Sequence, residues 1–152
     1  SLGIHSIEQP IQAGQLLQMA RICSESPIPI ALDEELIGTR TLEESHELLE
    51  QIRPHYIILK PALCGGFSGA DRWLGEAHRL GIGYWFTSAL ESNVGLGAIA
   101  LHIASKGCEL PQGLGTGQLY HNNFDSPLYL QGERMYYNPA KKLIIPDLEW
   151  RQ

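Results

Sequence analysis

Glu8, Asp33 and Lys60 each stop a short apolar run, and the stops recur at nearly equal intervals. Ser88 and Gly115 continue the series, with gaps of 25, 27, 28 and 27 residues. Two carboxylates brought to one place repel each other unless a cation lies between them. Hard carboxylate oxygens suit Mg²⁺, which takes few protein carboxylates and leaves positions open for substrate. A lysine one repeat further on then faces whatever the metal holds. Carboxylate, carboxylate, lysine is a layout for removing a proton next to a substrate carboxylate, with the metal stabilising the enediolate. Taken singly, each residue reads equally well as a solvated charge at the end of a strand. The shared position, one repeat apart, is what favours a site.

Such a site needs strands to deliver it. Tyr56-Ile57-Ile58-Leu59 is apolar throughout, as in a parallel strand buried on both faces. Lys60-Pro61 ends it, because proline has no N–H to give to a ladder. Gly65-Gly66 loosens the backbone before a helix expected from about Ser68, with Ala70, Trp73, Leu74, Ala77 and Leu80 on one face and Gly81 as its left-handed terminator. The same unit occurs earlier. A strand at Ile4–Ile7 precedes a helix from about Gln12 that carries Leu16, Met19, Ala20 and Cys23. A strand at Pro29–Leu32 precedes a helix opened by Thr41 and Glu44, which form a capping box; Leu48, Leu49 and Ile52 supply its stripe. A fourth strand is expected at Ile82–Thr87, followed by a helix with Val94, Ala98, Leu101 and Ala104. A fifth unit starts near Gln112. The tail differs: Leu128–Leu130 and Arg134–Tyr137 read as a hairpin turning at Gly132, and Lys142–Ile145 as a further strand stopped by Pro146.

A (β/α)₈ barrel of about 250 residues uses about 30 per unit. The spacing therefore describes α/β architecture amounting to half a TIM-type barrel, four strand–helix units and the start of a fifth. Residues 1–127 make the barrel half and 128–152 an antiparallel tail. An open doubly wound sheet has similar spacing. Its nucleotide-binding form needs Gly-x-Gly-x-x-Gly between strand and helix, which Gly113-Leu114-Gly115-Thr116-Gly117 matches only loosely.

Composition narrows the function classes. Of 152 residues, 43% are hydrophobic and 18% charged, enough for a core and too apolar for a disordered chain. The net charge of −6 leaves no basic footprint for nucleic acid. No apolar run is long enough to span a membrane. The three cysteines, Cys23, Cys64 and Cys108, form no Cys-x-x-Cys pair and fit a reducing, cytoplasmic setting. The chain has no initiator methionine and enters a strand almost at once, as a fragment or processed chain would.

Ile7-Glu8-Gln9-Pro10, Ala31-Leu32-Asp33-Glu34, Leu59-Lys60-Pro61 and Ser88-Ala89-Leu90-Glu91-Ser92 resemble the fourth to seventh barrel strands of the enolase superfamily. The first three motifs are shared with muconate cycloisomerases, dipeptide epimerases and N-acylamino acid racemases. Ser-x-x-Glu-Ser with Gly113-Leu114-Gly115-Thr116 is more similar to the o-succinylbenzoate synthase family of menaquinone biosynthesis. The resemblance implies Mg²⁺ as cofactor, with Glu8 and Asp33 as two of three ligands. It implies Lys60 as a cation against the substrate ring, or as acid or base in racemizing relatives. Ser88 and the backbone of Gly113, Leu114 and Gly115 then line the succinyl end of the pocket. Glu34 is left as a supporting residue, Glu91 as structural, and His5, Cys64 and Trp85 as packing. The implied reaction is dehydration of 2-succinyl-6-hydroxy-2,4-cyclohexadiene-1-carboxylate to o-succinylbenzoate. The family's Lys-x-Lys strand and third-strand aspartate have no counterpart in this sequence. The resemblance thus implies a separate N-terminal barrel half as partner, a tail that joins the capping domain, and a lone chain that is inactive; the unpaired sheet edges of a half barrel imply that the lone chain self-associates as a dimer.

Overall fold

The computed structural model describes residues 3–144. Short apolar runs become strands and amphipathic stretches become helices, in strict alternation. β1 spans Ile7–Glu8, β2 Ile30–Leu32, β3 Tyr56–Leu59 and β4 Gly83–Phe86. Helices α1 (Leu16–Glu25), α2 (Leu42–Ile52) and α3 (Gly66–Leu80) lie between them. The strands pair in parallel, in sequence order. Ile7 sits beside Ile30, Ala31 beside Tyr56, and Leu59 beside Phe86. Parallel pairing in sequence order brings all four C-terminal strand ends to one side of the sheet.

The core lies between this sheet and its helices. Ile30, Leu32, Ile57, Leu59 and Phe86 are fully buried from the strands, as are Met19, Leu49 and Trp73 from the helices. α2 packs on both α1 and α3. The α2 start is set by its capping box: Thr41 Oγ1 accepts from Glu44 N–H, and Glu44 Oε2 accepts from Thr41 N–H, both at 3.1 Å. Gly81, at φ 68°, ends α3 in the left-handed region as expected.

These elements, the described residues through Thr87 with Leu110–Gln112, form one unit. Ser88–Glu109 and the described residues from Gly113 onward form a second. The second unit holds α4 (Asn93–Ala104) and an antiparallel hairpin of β5 (Leu128–Gln131) and β6 (Arg134–Tyr137). Gly132 makes its turn at φ 61°. Asn123 Oδ1 accepts the N–H of Asn93 at 2.7 Å, which fixes the α4 start.

Several boundaries depart from expectation. The first strand is Ile7–Glu8 rather than Ile4–Ile7, because the ladder to β2 begins only where Ile7 donates to Pro29 O at 2.9 Å. α1 begins at Leu16, not Gln12, because Gly14 turns the chain at φ 90°. α3 begins at Gly66, ahead of Ser68. Gly115–Leu119 is a short 3₁₀ helix, and the parallel sheet of the described residues has four strands. Residues 142–144 form no strand, and Ile145 lies outside the described residues.

Candidate active site

Each residue of the expected constellation sits where its strand stops. Glu8 is the last residue of β1, Asp33 follows β2 and Lys60 follows β3. Neighbouring parallel strands run about 4.8 Å apart, so three successive strand ends place their side chains within reach of one another. The Lys60 ammonium donates to Asp33 Oδ2. Asp33 is 3% exposed, so this carboxylate is held almost out of water by a single cation.

Glu8 completes the group. Its carboxyl is pushed above the ordinary carboxylate range, first by burial, then by its hydrogen bond to Asp33 and by the Asp33 charge; Lys60 opposes the shift and Glu34 adds to it. Two carboxyl groups brought together in this way repel each other and favour a positive charge between them. That is the behaviour of a donor pair suited to a hard divalent cation, since Mg²⁺ often binds through one or two carboxylates and otherwise keeps water or substrate oxygens. Glu8 and Asp33 therefore fit part of a Mg²⁺ shell. Among the described residues, no group of three or more His, Cys, Asp or Glu side chains is placed to hold a metal.

The loop after β3 holds Lys60 in place. The carbonyl of Lys60 accepts from Leu63 N–H at 2.8 Å and Cys64 N–H at 3.0 Å, and Pro61 O accepts from Gly66 N–H at 2.8 Å. Gly65 and Gly66 take φ of 95° and 72° to turn this loop into α3.

In the second unit, Ser88 is 5% exposed. Its N–H donates to Gly113 O at 3.1 Å, and its hydroxyl is hydrogen-bonded to the Thr116 hydroxyl. Leu114 leads into the 3₁₀ helix that starts at Gly115. The structure thus brings Glu8, Asp33 and Lys60 together in the first unit, and Ser88 with Gly113–Thr116 in the second.

Some residues behave otherwise than their sequence suggests. Glu34 is exposed, and the buried acid beside Asp33 is Glu35, 6% exposed. Glu35 and Gln9 form a hydrogen-bonded pair next to the site. In the sequence Gln9 shows only as the middle of Glu-Gln-Pro, between Glu8 and a proline. Glu91 Oε2 accepts from Ala89 N–H at 2.7 Å, shaping the loop before α4. His5, as expected, packs against Tyr56, with ring centroids 4.7 Å apart and the rings tilted by 39°.

Comparison with known proteins places this geometry. Residues 1–138 match the family described as enolase C-terminal domain-like. The chain belongs to that family. An o-succinylbenzoate synthase from Desulfotalea psychrophila is 56% identical over 129 residues, covering 85% of this chain and 35% of that protein. An N-succinylamino acid racemase from Thermus thermophilus is 35% identical over 104 residues, covering 68% of this chain and 27% of that one. The crystal structure of MenC from Desulfotalea psychrophila superposes with a TM-score of 0.83 at 55% identity, covering 87% of this chain and 37% of that chain. The chain spans about a third of the length of these relatives, or less. The expected α/β class, a parallel sheet followed by an antiparallel hairpin, is the enolase C-terminal fold.

Proposed function

We propose that this chain supplies the β1–β4 side of an o-succinylbenzoate synthase, which dehydrates 2-succinyl-6-hydroxy-2,4-cyclohexadiene-1-carboxylate to o-succinylbenzoate in menaquinone biosynthesis. The observation that carries this is the convergence of Glu8, Asp33 and Lys60 at three successive strand ends. The 56% identity to a protein of that name supports the substrate.

In this reading Glu8 and Asp33 hold Mg²⁺. When bound, the metal supplies Lewis-acid stabilisation of the charge that gathers on the substrate carboxylate as its neighbouring proton leaves. Lys60 lies on the next strand and sets a fixed positive charge beside the same electron density. Ser88 and the Gly113–Gly115 backbone receive the succinyl end. The base and the remaining metal ligand come from the part of the relatives that this chain does not cover. That part is the required partner, and residues 128–152 join its cap. The cytoplasm is the setting we infer, in keeping with three cysteines that form no disulfide.

The 35% identity to an N-succinylamino acid racemase favours a second reading, in which Lys60 exchanges a proton with an N-acylamino acid. The test is an assay of the complete protein on both substrates. Aromatic product formed from the cyclohexadiene, with no racemization of N-succinylamino acids at a comparable rate, is the expected result. Racemization alone would overturn the synthase reading.

A further inference from the structure

Glu8 and Asp33 lie on different strands, and something must fix their separation. The main-chain ladder does part of this: Gln9 N–H donates to Ala31 O at 2.9 Å. Just past that bond, Gln9 takes φ 35°, a left-handed conformation unusual for a residue with a side chain. The turn carries the Gln9 amide to the loop that begins with Asp33.

Every hydrogen-bonding position of that amide is engaged. Its Oε1 accepts from the N–H of Asp33 at 3.0 Å and from the N–H of Glu35 at 3.4 Å. Its Nε2 donates to Glu35 Oε2 at 3.0 Å and to Ile11 O at 3.0 Å. Two backbone donors demand the oxygen on one side and two acceptors demand the NH₂ on the other, so the amide has one permitted orientation. Glu35 is fixed in turn. Its other oxygen accepts from Gly14 N–H at 2.7 Å, and the side chain is buried. Both carboxylate oxygens of Glu35 thus accept a hydrogen bond, one from the Gln9 amide and one from Gly14 N–H.

We propose that Gln9, held by Glu35, is a positioning residue that sets the spacing of Glu8 and Asp33 and thereby the affinity of the pair for a divalent cation. This rests on the metal reading of Glu8 and Asp33 given above. The physical logic is that of groups behind a metal site: they touch no metal, but they fix the backbone from which a ligand projects. Here the link is direct. The Gln9 oxygen is bonded to the main-chain N–H of one ligand, and Gln9 is covalently joined to the other.

The test uses Mn²⁺ as the probe, with its affinity for the complete protein read by electron paramagnetic resonance and the fold checked by melting in EDTA. Gln9→Glu sets two carboxylates against each other, and Glu35→Gln sets an NH₂ against a second donor, either the Gln9 NH₂ or the Gly14 N–H. The double variant Gln9→Glu/Glu35→Gln restores one donor facing one acceptor. Each single variant is expected to bind Mn²⁺ about 10- to 100-fold more weakly, as loss of such supporting groups typically does. The double variant is expected to recover part of that loss, because the Ile11 carbonyl still faces a carboxylate oxygen at position 9. Gln9→Met, which brings no charge against Glu35, is the milder variant; should the charge variants not fold, its affinity decides by the same criterion. A folded single variant with unchanged Mn²⁺ affinity overturns the proposal, because a brace that served only stability would lower the melting temperature and leave affinity alone. Glu8→Gln and Asp33→Asn separate the two readings. If they leave Mn²⁺ binding intact, the metal assignment itself falls, and the role of Gln9 toward the metal falls with it.

Discussion

The ammonium of Lys60 is bonded to the carboxylate of Asp33 across two adjacent parallel strands. Asp33 is 3% exposed, and the Lys60 side chain is 21% exposed. Removing the lysine leaves a buried carboxylate with no cation. Lys60→Ala should therefore destabilise the metal-free chain by about 2 kcal/mol, between the small value of exposed pairs and the larger cost of breaking fully buried ones. Mg²⁺ carries its own positive charge to Asp33 and should return part of that loss. In the complete enzyme the same change should cut turnover by orders of magnitude. Melting with and without Mg²⁺, and a turnover assay, check both. Near-normal turnover would make Lys60 an ordinary strand-end charge.

Glu8 gives the site a pH signature. Burial, and then the Asp33 hydrogen bond and charge, raise its carboxyl above the usual range. The folded chain therefore holds this proton more tightly than the unfolded chain does. Stability from this group is fully present below the unfolded carboxyl value of about 4.3 and is lost as pH rises through the raised folded value. Mg²⁺ reverses the preference, because it needs the ionised form. Urea unfolding in EDTA at a series of pH values should show this fall in the parent chain and not in Glu8→Gln. Saturating Mg²⁺ should abolish it.

Two glycines of α3 should respond oppositely to alanine. A Cβ at Gly69 would collide with the carbonyl of Cys64, in the loop that carries Lys60. That oxygen is main chain and cannot rotate aside, so Gly69→Ala should cost about 1–3 kcal/mol by overpacking and displace the loop. A Cβ at Gly75 meets nothing within 4 Å. Gly75→Ala should stabilise the chain by about 0.5–1 kcal/mol through helix propensity. Chemical denaturation of the two variants separates the effects.

Elements and site residues were legible to different depths. The strand ends at Glu8, Asp33 and Lys60 were readable because an apolar run followed by a charge is a local pattern, and equal spacing turned it into a repeat. The Thr41–Glu44 capping box was readable for the same reason: both partners lie within one turn. Gln9 was not, because its amide reaches Asp33 and Glu35, more than twenty residues away. Nor could sequence separate Glu34 from Glu35. They are identical residues side by side, and only the 3₁₀ turn at Glu34–Leu36 exposes one and buries the other. Apolarity alone points to Ile4–Ile7, whereas the ladder to Ile30 and Ala31 places β1 at Ile7–Glu8, because a partner strand sets where a strand ends.

The sheet edge at β1 predicts association of the chain. β1 is a terminal strand of the four-stranded sheet among the described residues; its Ile7 is 37% exposed, and Ile4, ahead of the strand, is 53% exposed. An apolar edge strand is a template for pairing with another chain. The lone chain should sediment as a dimer at micromolar concentration, and Ile7→Lys should shift it toward monomer. A stable monomer at high concentration would sink the edge argument.

The cysteines test whether the core behind the site is closed. Burial pushes the thiols of Cys23 and Cys64 up to about 11. Cys64 lies in the same loop as Lys60 and is 3% exposed. At pH 8 a thiol of that acidity is about 0.1% thiolate, against roughly a quarter for an ordinary cysteine with a pKa of about 8.5. Since the thiolate is the nucleophile, alkylation of Cys23 and Cys64 should run more than about 100-fold below the rate of an unfolded control. The same shift fixes the sign of a stability change. The folded chain keeps these protons to higher pH than the unfolded one, so stability falls as pH rises from about 8.5 toward 11. Cys23→Ala and Cys64→Ala should each remove part of that fall. Mass-resolved alkylation identifies which thiol reacts. Modification of Cys64 in the folded chain at the rate of a free thiol would mean that the Lys60–Gly65 loop opens readily, and with it the placement of Lys60.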